Sequence, residues 1–347
     1  MKQVRVGVVG MGIGRHNAMA IAKHPRGRVT ALCDLLEERT SAFAEELAES
    51  VTCYTDYREM CRSDEIDAVF VGTPNQFHVP VAREAIRHCK NVLLTKPLAG
   101  SVDAARLLVQ EAEASGLINM MSLSTRFSDD VAYLGQLAEQ GEFDELYYAR
   151  ARSVRRSGIP AWSFGFIEEG GGAFRDMGVH VLDSAWWLLG MPKPVSVMGV
   201  SGAKFGPRGA GYFGPEVAPT EELAARYAAD DYAGGFIRFE NGVGLQVESF
   251  WASHQPPELQ IELFGTKMGA TLRPVTLFRT VNGQHQDVSV DLPERETRPW
   301  EAIADHFIAC ILDDVPCQAP LRHGLIVQEM MEALLESAAT GKEVRLD

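Results

Sequence analysis

The sequence is 347 residues long, 46% apolar and 23% charged, with a formal net charge of −14. This length and composition describe an ordinary globular chain with material for two domains, and they exclude a disordered or fibrous one. The acidic balance, without clustered Lys or Arg, excludes a nucleic-acid surface, and no run of roughly 18 apolar residues is available to cross a membrane.

The opening MKQVRVGVVG has strand character and lacks the cationic start and long apolar run of a secretory leader, so a cytoplasmic location is expected. Cys33, Cys53, Cys61, Cys89, Cys310 and Cys317 are scattered, without a CxxC pair or a Cys/His cluster at metal-ligand spacing. They are expected to be reduced, mostly buried thiols, and no metal site is expected.

In chain order, Val4 to Val9 is a β-rich run entering the turn GMGIG, Gly10 to Gly14, and a helix-period segment follows from Arg15 to Lys23. Strand VTALCD (29–34), helix LEERTSAFAEELAES, strand VTCY and strand IDAVFVG (66–72) come next. A helix around Val79 to His88, strand NVLL, a helix from Ser101 to Ser115 and strand LINMM complete the series. Strands alternating with helices imply right-handed βαβ units and a doubly wound, mostly parallel sheet, a Rossmann-type dinucleotide-binding domain over residues 1–122.

In that architecture ligands lie outside the carboxyl ends of the strands, where helix N-termini offer N–H groups to a pyrophosphate. Gly10, Gly12, Ile13 and Gly14 are therefore cofactor candidates. Their spacing is GxGxG, with Arg15 where GxGxxG would place its third glycine, so the turn alone is equally a plain strand-to-helix connection. Asp34 closes the second strand 24 residues after Gly10, where a carboxylate accepts the adenine-ribose hydroxyls and repels a 2′-phosphate. NAD is thus favoured over NADP, and Arg39 joins the cofactor set; Asp34 taken alone is a cap for the next helix. The fourth strand ends in Thr73-Pro74-Asn75-Gln76-Phe77-His78 and the fifth in Thr95-Lys96-Pro97, each stopped by its proline. Thr73, Pro74, Asn75, His78 and Lys96 are thereby delivered to the ligand edge, although a lysine in a turn is by itself as readily a solvated residue.

After residue 122 the rhythm changes. Strands are expected at 145–155, 194–201, 232–239, 243–251, 258–264 and 286–292, with Asn241-Gly242 as a hairpin turn. Strands without intervening helices make residues 123–347 an α+β domain with a large, mostly antiparallel sheet, and the glycine- and proline-rich segment Ser201 to Ala218 is expected to be a long, mobile loop. In GGGAFRDMGVHVLDSAWWLLG (170–190), Asp176, His180 and Asp183 fall at i, i+4 and i+7 on one face of an apolar helix. Burying such groups without partners is costly, so the stripe either lines a wet cavity or forms a satisfied core network. His180 suits general acid/base work, with Asp176 orienting it or holding a substrate hydroxyl.

Taken together, the glycine turn, TPNQFHVP (73–80), LLTKPLAG (93–100), GGGAFRDMGVHVLDSAWWLLG, DDYAGGFIRFENG from 230 and the closing SAATGKEVRL resemble the Gfo/Idh/MocA family over nearly the whole chain. The resemblance implies an NAD(P)-dependent dehydrogenase acting on a secondary alcohol of a sugar, sugar derivative or inositol. Carried over position by position, Lys96, Asp176 and His180 surround the reacting carbinol, Asp183 completes their motif, and Asn75 and His78 border the nicotinamide ribose. Thr95 stands where many members carry glutamate, and SLSTRF (122–127) matches the family segment only at Arg126 and Phe127.

On this reading His180 accepts the hydroxyl proton while Lys96 supplies hydrogen bonds or charge to the developing alkoxide. Arg126, Arg155, Arg156 and Trp162 are candidates for substrate contacts, with Trp162 against a sugar face; the arginines serve equally well on a salt-bridged surface. The expected partner is a small-molecule sugar or polyol, not nucleic acid or membrane, and the resemblance implies a homodimer or homotetramer formed through the open sheet. The C-terminal helix is expected to pack back on the first domain. Two alternatives remain: a tightly held NAD serving a 3-keto glycoside intermediate, and a non-catalytic dinucleotide-binding regulator.

Overall fold

A computed structural model describes residues 2–12, 14–47, 50–213, 221–293 and 298–346. The chain divides into two compact units, Met1–Phe127 with Arg295–Gln328, and Ser128–Glu294 with Glu329–Asp347. The division thus falls slightly later than residue 122, and the chain returns to the first unit before it ends in the second.

The first unit holds six strands: β1 (Val4–Val9), β2 (Gly27–Cys33), β3 (Thr52–Tyr54), β4 (Ala68–Val71), β5 (Asn91–Leu94) and β6 (Asn119–Met121). All pair parallel, in the order β3-β2-β1-β4-β5-β6, so the chain reverses direction of growth between β1 and β4. Every residue of β4 is buried, as expected for a parallel strand covered by helices on both faces. The helices Gly14–Lys23, Glu37–Leu47, His78–Arg87 and Val102–Ser115 alternate with the strands, and Pro299–Leu312 packs beside Gly14–Lys23. The last two helices, Pro299–Leu312 and the start of Leu321–Thr340, contribute Ile303, Phe307, Ile308 and Leu321 to the same hydrophobic core.

The second unit is built on nine strands: β7 (Leu146–Val154), β8 (Pro194–Gly202), β9 (Tyr232–Phe239), β10 (Gly244–Phe250), β11 (Glu258–Gly265), β12 (Met268–Thr271), β13 (Thr276–Val281), β14 (Gln284–Ser289) and β15 (Val344–Arg345). Their order is β14-β13-β12-β11-β7-β10-β9-β8-β15; every pair is antiparallel except β7 with β10. The helix Val179–Leu188 packs against β7, β10 and β11, and Asp129–Glu139 packs on that helix, where a side chain at Gly135 would strike the Trp187 ring at 2.4 Å. Met198, Val200 and Phe236 remain exposed on the sheet. Burial alternates along β10, the signature of a strand with one face on the core.

Four expectations change. The single strand expected at 286–292 is instead the hairpin β13–β14, turning through Asn282 and Gly283 in the left-handed region. Its strands are exposed, so no alternating apolar pattern announced them. The helix Asp129–Glu139 was not anticipated. Ser201 to Ala218 is not one loop: Ser201 and Gly202 end β8, and the Asp231 carboxylate accepts the N–H groups of Lys204, Phe205 and Gly206, anchoring the chain just beyond that strand; residues 214–218 lie outside the described residues. Finally, Phe174–Gly178 is a π-helical turn that precedes the regular helix. Among the described residues no helix is long and apolar enough to cross a membrane.

Candidate active site

At the carboxyl end of β1, Gly10 has φ +91°, and a Cβ there would lie 2.6 Å from the Gly72 carbonyl oxygen. Gly72 in turn lies against Gly14, whose own Cβ would meet Val8 at 3.2 Å. The close approach of helix to sheet that a third glycine normally allows is therefore provided by Gly14. Arg15 is paired with Glu46 and lies over the Phe43 ring at 5.3 Å. Ile13 lies outside the described residues. The Asp34 carboxylate accepts the N–H groups of Met11 (2.8 Å) and Leu36 (3.1 Å), so it ties the glycine turn to the start of the next helix. Arg39 Nη1 lies 4.0 Å from its Oδ1.

These residues fit a dinucleotide on two observations. Among the described residues, nothing lies within 4 Å of where a Gly12 side chain would be, which leaves open space over the turn. The Thr73 hydroxyl is buried without a hydrogen-bond partner among the described residues, a condition a bound polar ligand would relieve. Pro74 and Asn75 are exposed beside it, and Lys96 is half-buried.

His78 has a different place from the one expected. It is 0% exposed, with Nδ1 2.6 Å from the Pro97 carbonyl and Nε2 2.7 Å from the Thr73 carbonyl. Both ring nitrogens are engaged by the backbone, so it braces the turn after β4 against the turn carrying Lys96 rather than presenting a donor to a cofactor. A neutral ring donates to one of these carbonyls, an imidazolium to both. Burial pushes the His78 pKa down, opposed by the two carbonyl contacts. Arg126 is likewise displaced from the substrate set: it is 1% exposed, and Nη1 lies 2.7 Å from the Gln318 carbonyl and 3.0 Å from His323 Nδ1. Burial and the Arg126 charge lower the His323 pKa to about 4, so this imidazole is neutral and accepts from the guanidinium.

In the second unit, Asp176 sits in the π turn, so its expected i, i+4 relation to His180 on a regular helix does not hold. Turns of this wider kind recur at functional sites because they displace one side chain from the regular helical register. Asp176 and His180 are half-buried, while Asp183 is 1% exposed. The buried Trp251 indole N–H donates to Asp176 Oδ2 at 3.1 Å. The turn is held from two further sides: Arg175 pairs with Glu332 at 2.6 Å, and Asp230 accepts the Phe174 N–H at 3.1 Å. Gly172, at φ +119°, has no room for a side chain because its Cβ would lie 2.0 Å from Asp230 Oδ1. Burial raises the Asp230 pKa to about 6. Sequence reasoning missed Asp230 and Trp251; the stretch DDYAGG begins with the first, but its contact with the glycine run is tertiary.

Trp162 is 66% exposed and meets the rings of Phe166 and Phe213 edge-on, at 5.8 and 6.0 Å. Phe166 in turn packs against a small core containing Ile159, Ile167, Tyr212 and Trp251. Arg155 is exposed, and Arg156 donates to the Gln255 carbonyl at 3.3 Å.

The cysteines are less uniformly buried than expected. Cys53 and Cys89 are exposed and Cys317 is half-buried, while burial pushes the Cys33 and Cys61 thiols up to about 12. Contrary to the expectation from spacing, the fold does assemble a Cys/His cluster, bringing His306, Cys310 and Cys317 together.

Residues 4–123 match the family model described as "Oxidoreductase family, NAD-binding Rossmann fold", and residues 131–271 match the GFO/IDH/MocA C-terminal domain. The chain is 30% identical to D-glucoside 3-dehydrogenase of Escherichia coli, over 99% of this chain and 97% of the relative. It is 25% identical to the NAD(+)-dependent scyllo-inositol 2-dehydrogenase of Bacillus subtilis, over 89% of this chain and 86% of that one. A solved oxidoreductase domain protein from Kribbella flavida shares the fold with a TM-score of 0.86 at 19% identity, covering 100% of both chains.

Proposed function

The chain belongs to the GFO/IDH/MocA oxidoreductase family, and from that premise we propose that it dehydrogenates a secondary hydroxyl of a sugar, glycoside or cyclitol, with NAD as cofactor. The observation that carries the substrate class is the end-to-end match to a D-glucoside 3-dehydrogenase, which makes the C3 hydroxyl of a glucoside the first candidate. NAD, when bound, supplies the hydride acceptor.

In this reading His180 takes the hydroxyl proton, and Lys96 lends hydrogen bonds and positive charge to the oxygen as it becomes an alkoxide. Asp176, fixed by the Trp251 indole, holds the imidazole or a neighbouring hydroxyl. Trp162 offers an exposed aromatic face for a sugar ring, buttressed by Phe166 and Phe213. Exposed Arg155 is a candidate for sugar hydroxyls. Gly10, Gly12, Ile13, Gly14, Thr73, Pro74, Asn75 and Lys96 form the cofactor set, with Asp34 disfavouring a 2′-phosphate and so selecting NAD over NADP. The exposed Met198, Val200 and Phe236 support a homodimer or homotetramer formed through the open sheet. A cytoplasmic location, where thiols stay reduced, completes the proposal.

The test is a panel of glucosides, free sugars and inositols scored for NADH and NADPH formation. Reduction of NAD with a glucoside or inositol is the expected result; NAD binding without turnover of any polyol would return the chain to a dinucleotide-binding regulator. The glucoside C3 position also favours a second reading, in which NAD stays bound and a 3-keto glycoside is an intermediate. That mode shows as cofactor copurifying with the protein and little net NADH release.

A further inference from the structure

One cluster in the first unit has no part in hydride transfer. The helix Pro299–Leu312 carries His306 and Cys310 at i and i+4, hence on one face, and Cys317 returns from the connection after the helix. His306 Nε2 lies 3.5 Å from Cys310 Sγ, and the three donor atoms all lie within 4.8 Å of one another. A tetrahedral ion with bonds of about 2.3 Å to sulfur and about 2.0 Å to nitrogen needs its donors roughly 3.5–3.8 Å apart, so the three are already close to ligating distance. Cys310 is buried, whereas His306 and Cys317 are half-buried and Gln318 is exposed, which leaves an approach from solvent.

We propose that His306, Cys310 and Cys317 bind one thiophilic divalent cation, zinc being the first to test, with the fourth position left to solvent. Two thiols lose their protons on binding, and the two thiolates balance the ion's charge, so the half-buried site takes on no net charge. The His306 Nε2 lone pair that ligates the ion is the one that accepts the Gln318 N–H at 3.0 Å. Metal uptake therefore releases that N–H, and because the Gln318 carbonyl accepts from Arg126, the change reaches the turn Ser124–Phe127. Spacing alone did not reveal the site because its third donor arrives through the fold.

The experiment uses the full chain, reduced and stripped of metal, titrated with Co²⁺ and then Zn²⁺. The expected result is one equivalent of cobalt with a sulfur-to-metal charge-transfer band and strong visible bands of tetrahedral type, displaced by zinc. His306→Gln and Cys317→Ser, at half-buried positions that tolerate change, should each weaken binding roughly tenfold or more, as loss of a donor requires. Cys53→Ser and Cys89→Ser should leave it unchanged, and NADH binding by every variant checks that the unit is folded. The proposal is overturned if the reduced protein gives no charge-transfer band, if the band survives Cys317→Ser, or if it disappears with Cys53→Ser. A Cys310–Cys317 disulfide that persists under reducing conditions and keeps cobalt out overturns it as well.

Discussion

At the strand ends of the first unit, His78, Asp34 and Arg126 are turned onto the protein's own backbone, whereas in the second unit Trp162 is held out from the surface and Asp176 and His180 are only half-buried. Both sets occupy positions that sequence reasoning marks as ligand-facing. A polar residue at the ligand edge of a sheet can thus serve either the frame or the ligand. A ring such as His78, with both nitrogens engaged and no exposed surface, builds the site's frame; groups that keep exposed surface, such as Lys96, Asn75 and Trp162, can serve chemistry or recognition.

Substitutions can break that distinction, beginning with the largest effect. Lys96→Ala and His180→Ala should each lower kcat/KM by about 10²–10⁴-fold, the range for a lost acid/base or charge-stabilising group, while NADH fluorescence titration shows binding retained. His78→Ala should act on the frame instead, leaving a part-buried backbone carbonyl without its donor and a cavity, at a cost of ~2–4 kcal/mol in urea unfolding. A His78→Ala protein with unchanged stability would place the imidazole among the ligand contacts after all.

Asp34→Ala should weaken NAD binding by ~1.5–3 kcal/mol and narrow the gap to NADP, since it removes both the anchor of the glycine turn at Met11 and the carboxylate that repels a 2′-phosphate, and leaves Arg39 to attract it. Equal affinity of the unaltered protein for the two cofactors would contradict the role given to Asp34. Trp162→Ala should cost ~1 kcal/mol, read as a severalfold rise in KM with kcat little changed, because the ring binds without touching the reacting atoms.

The smallest effect concerns pH. The Asp230 carboxyl is held protonated up to about 6 in the folded chain but ionises near 3.8 when unfolded. Between those values the folded state binds the extra proton, so this group's contribution to stability falls as pH rises through the window and is level on either side. Asp230→Asn should flatten that segment of the stability profile; an unchanged slope would show that another group causes it.

Much of this was legible in the sequence. The apolar strands of the first sheet, the prolines that end two of them and the placement of Asp34 all follow from local rules, and the Asn241-Gly242 turn marks the β9–β10 connection. What was not legible depends on residues distant in the chain. Gly14 takes over the close approach because Gly72 comes to meet it, and Arg15 is harmless because Glu46 and Phe43 receive it. His78 and Arg126 could be placed at an edge but not turned inward, because the carbonyls that claim them belong to Pro97 and Gln318. The start of the π turn at Asp176 is held by Asp230 on the Phe174 N–H and by Glu332 on Arg175, contacts that no periodicity expresses.

Transfer of a hydride from a secondary carbinol to NAD, with His180 taking the proton, is the step on which the proposed function rests. It is tested most directly by following label from a glucoside deuterated at C3 into the nicotinamide ring, in the unaltered protein and in His180→Ala. The expected result is transfer of deuterium by the first and its near-complete loss in the second. Transfer that proceeds equally in His180→Ala, or no transfer from any labelled glucoside or inositol to a protein saturated with NAD, would contradict it.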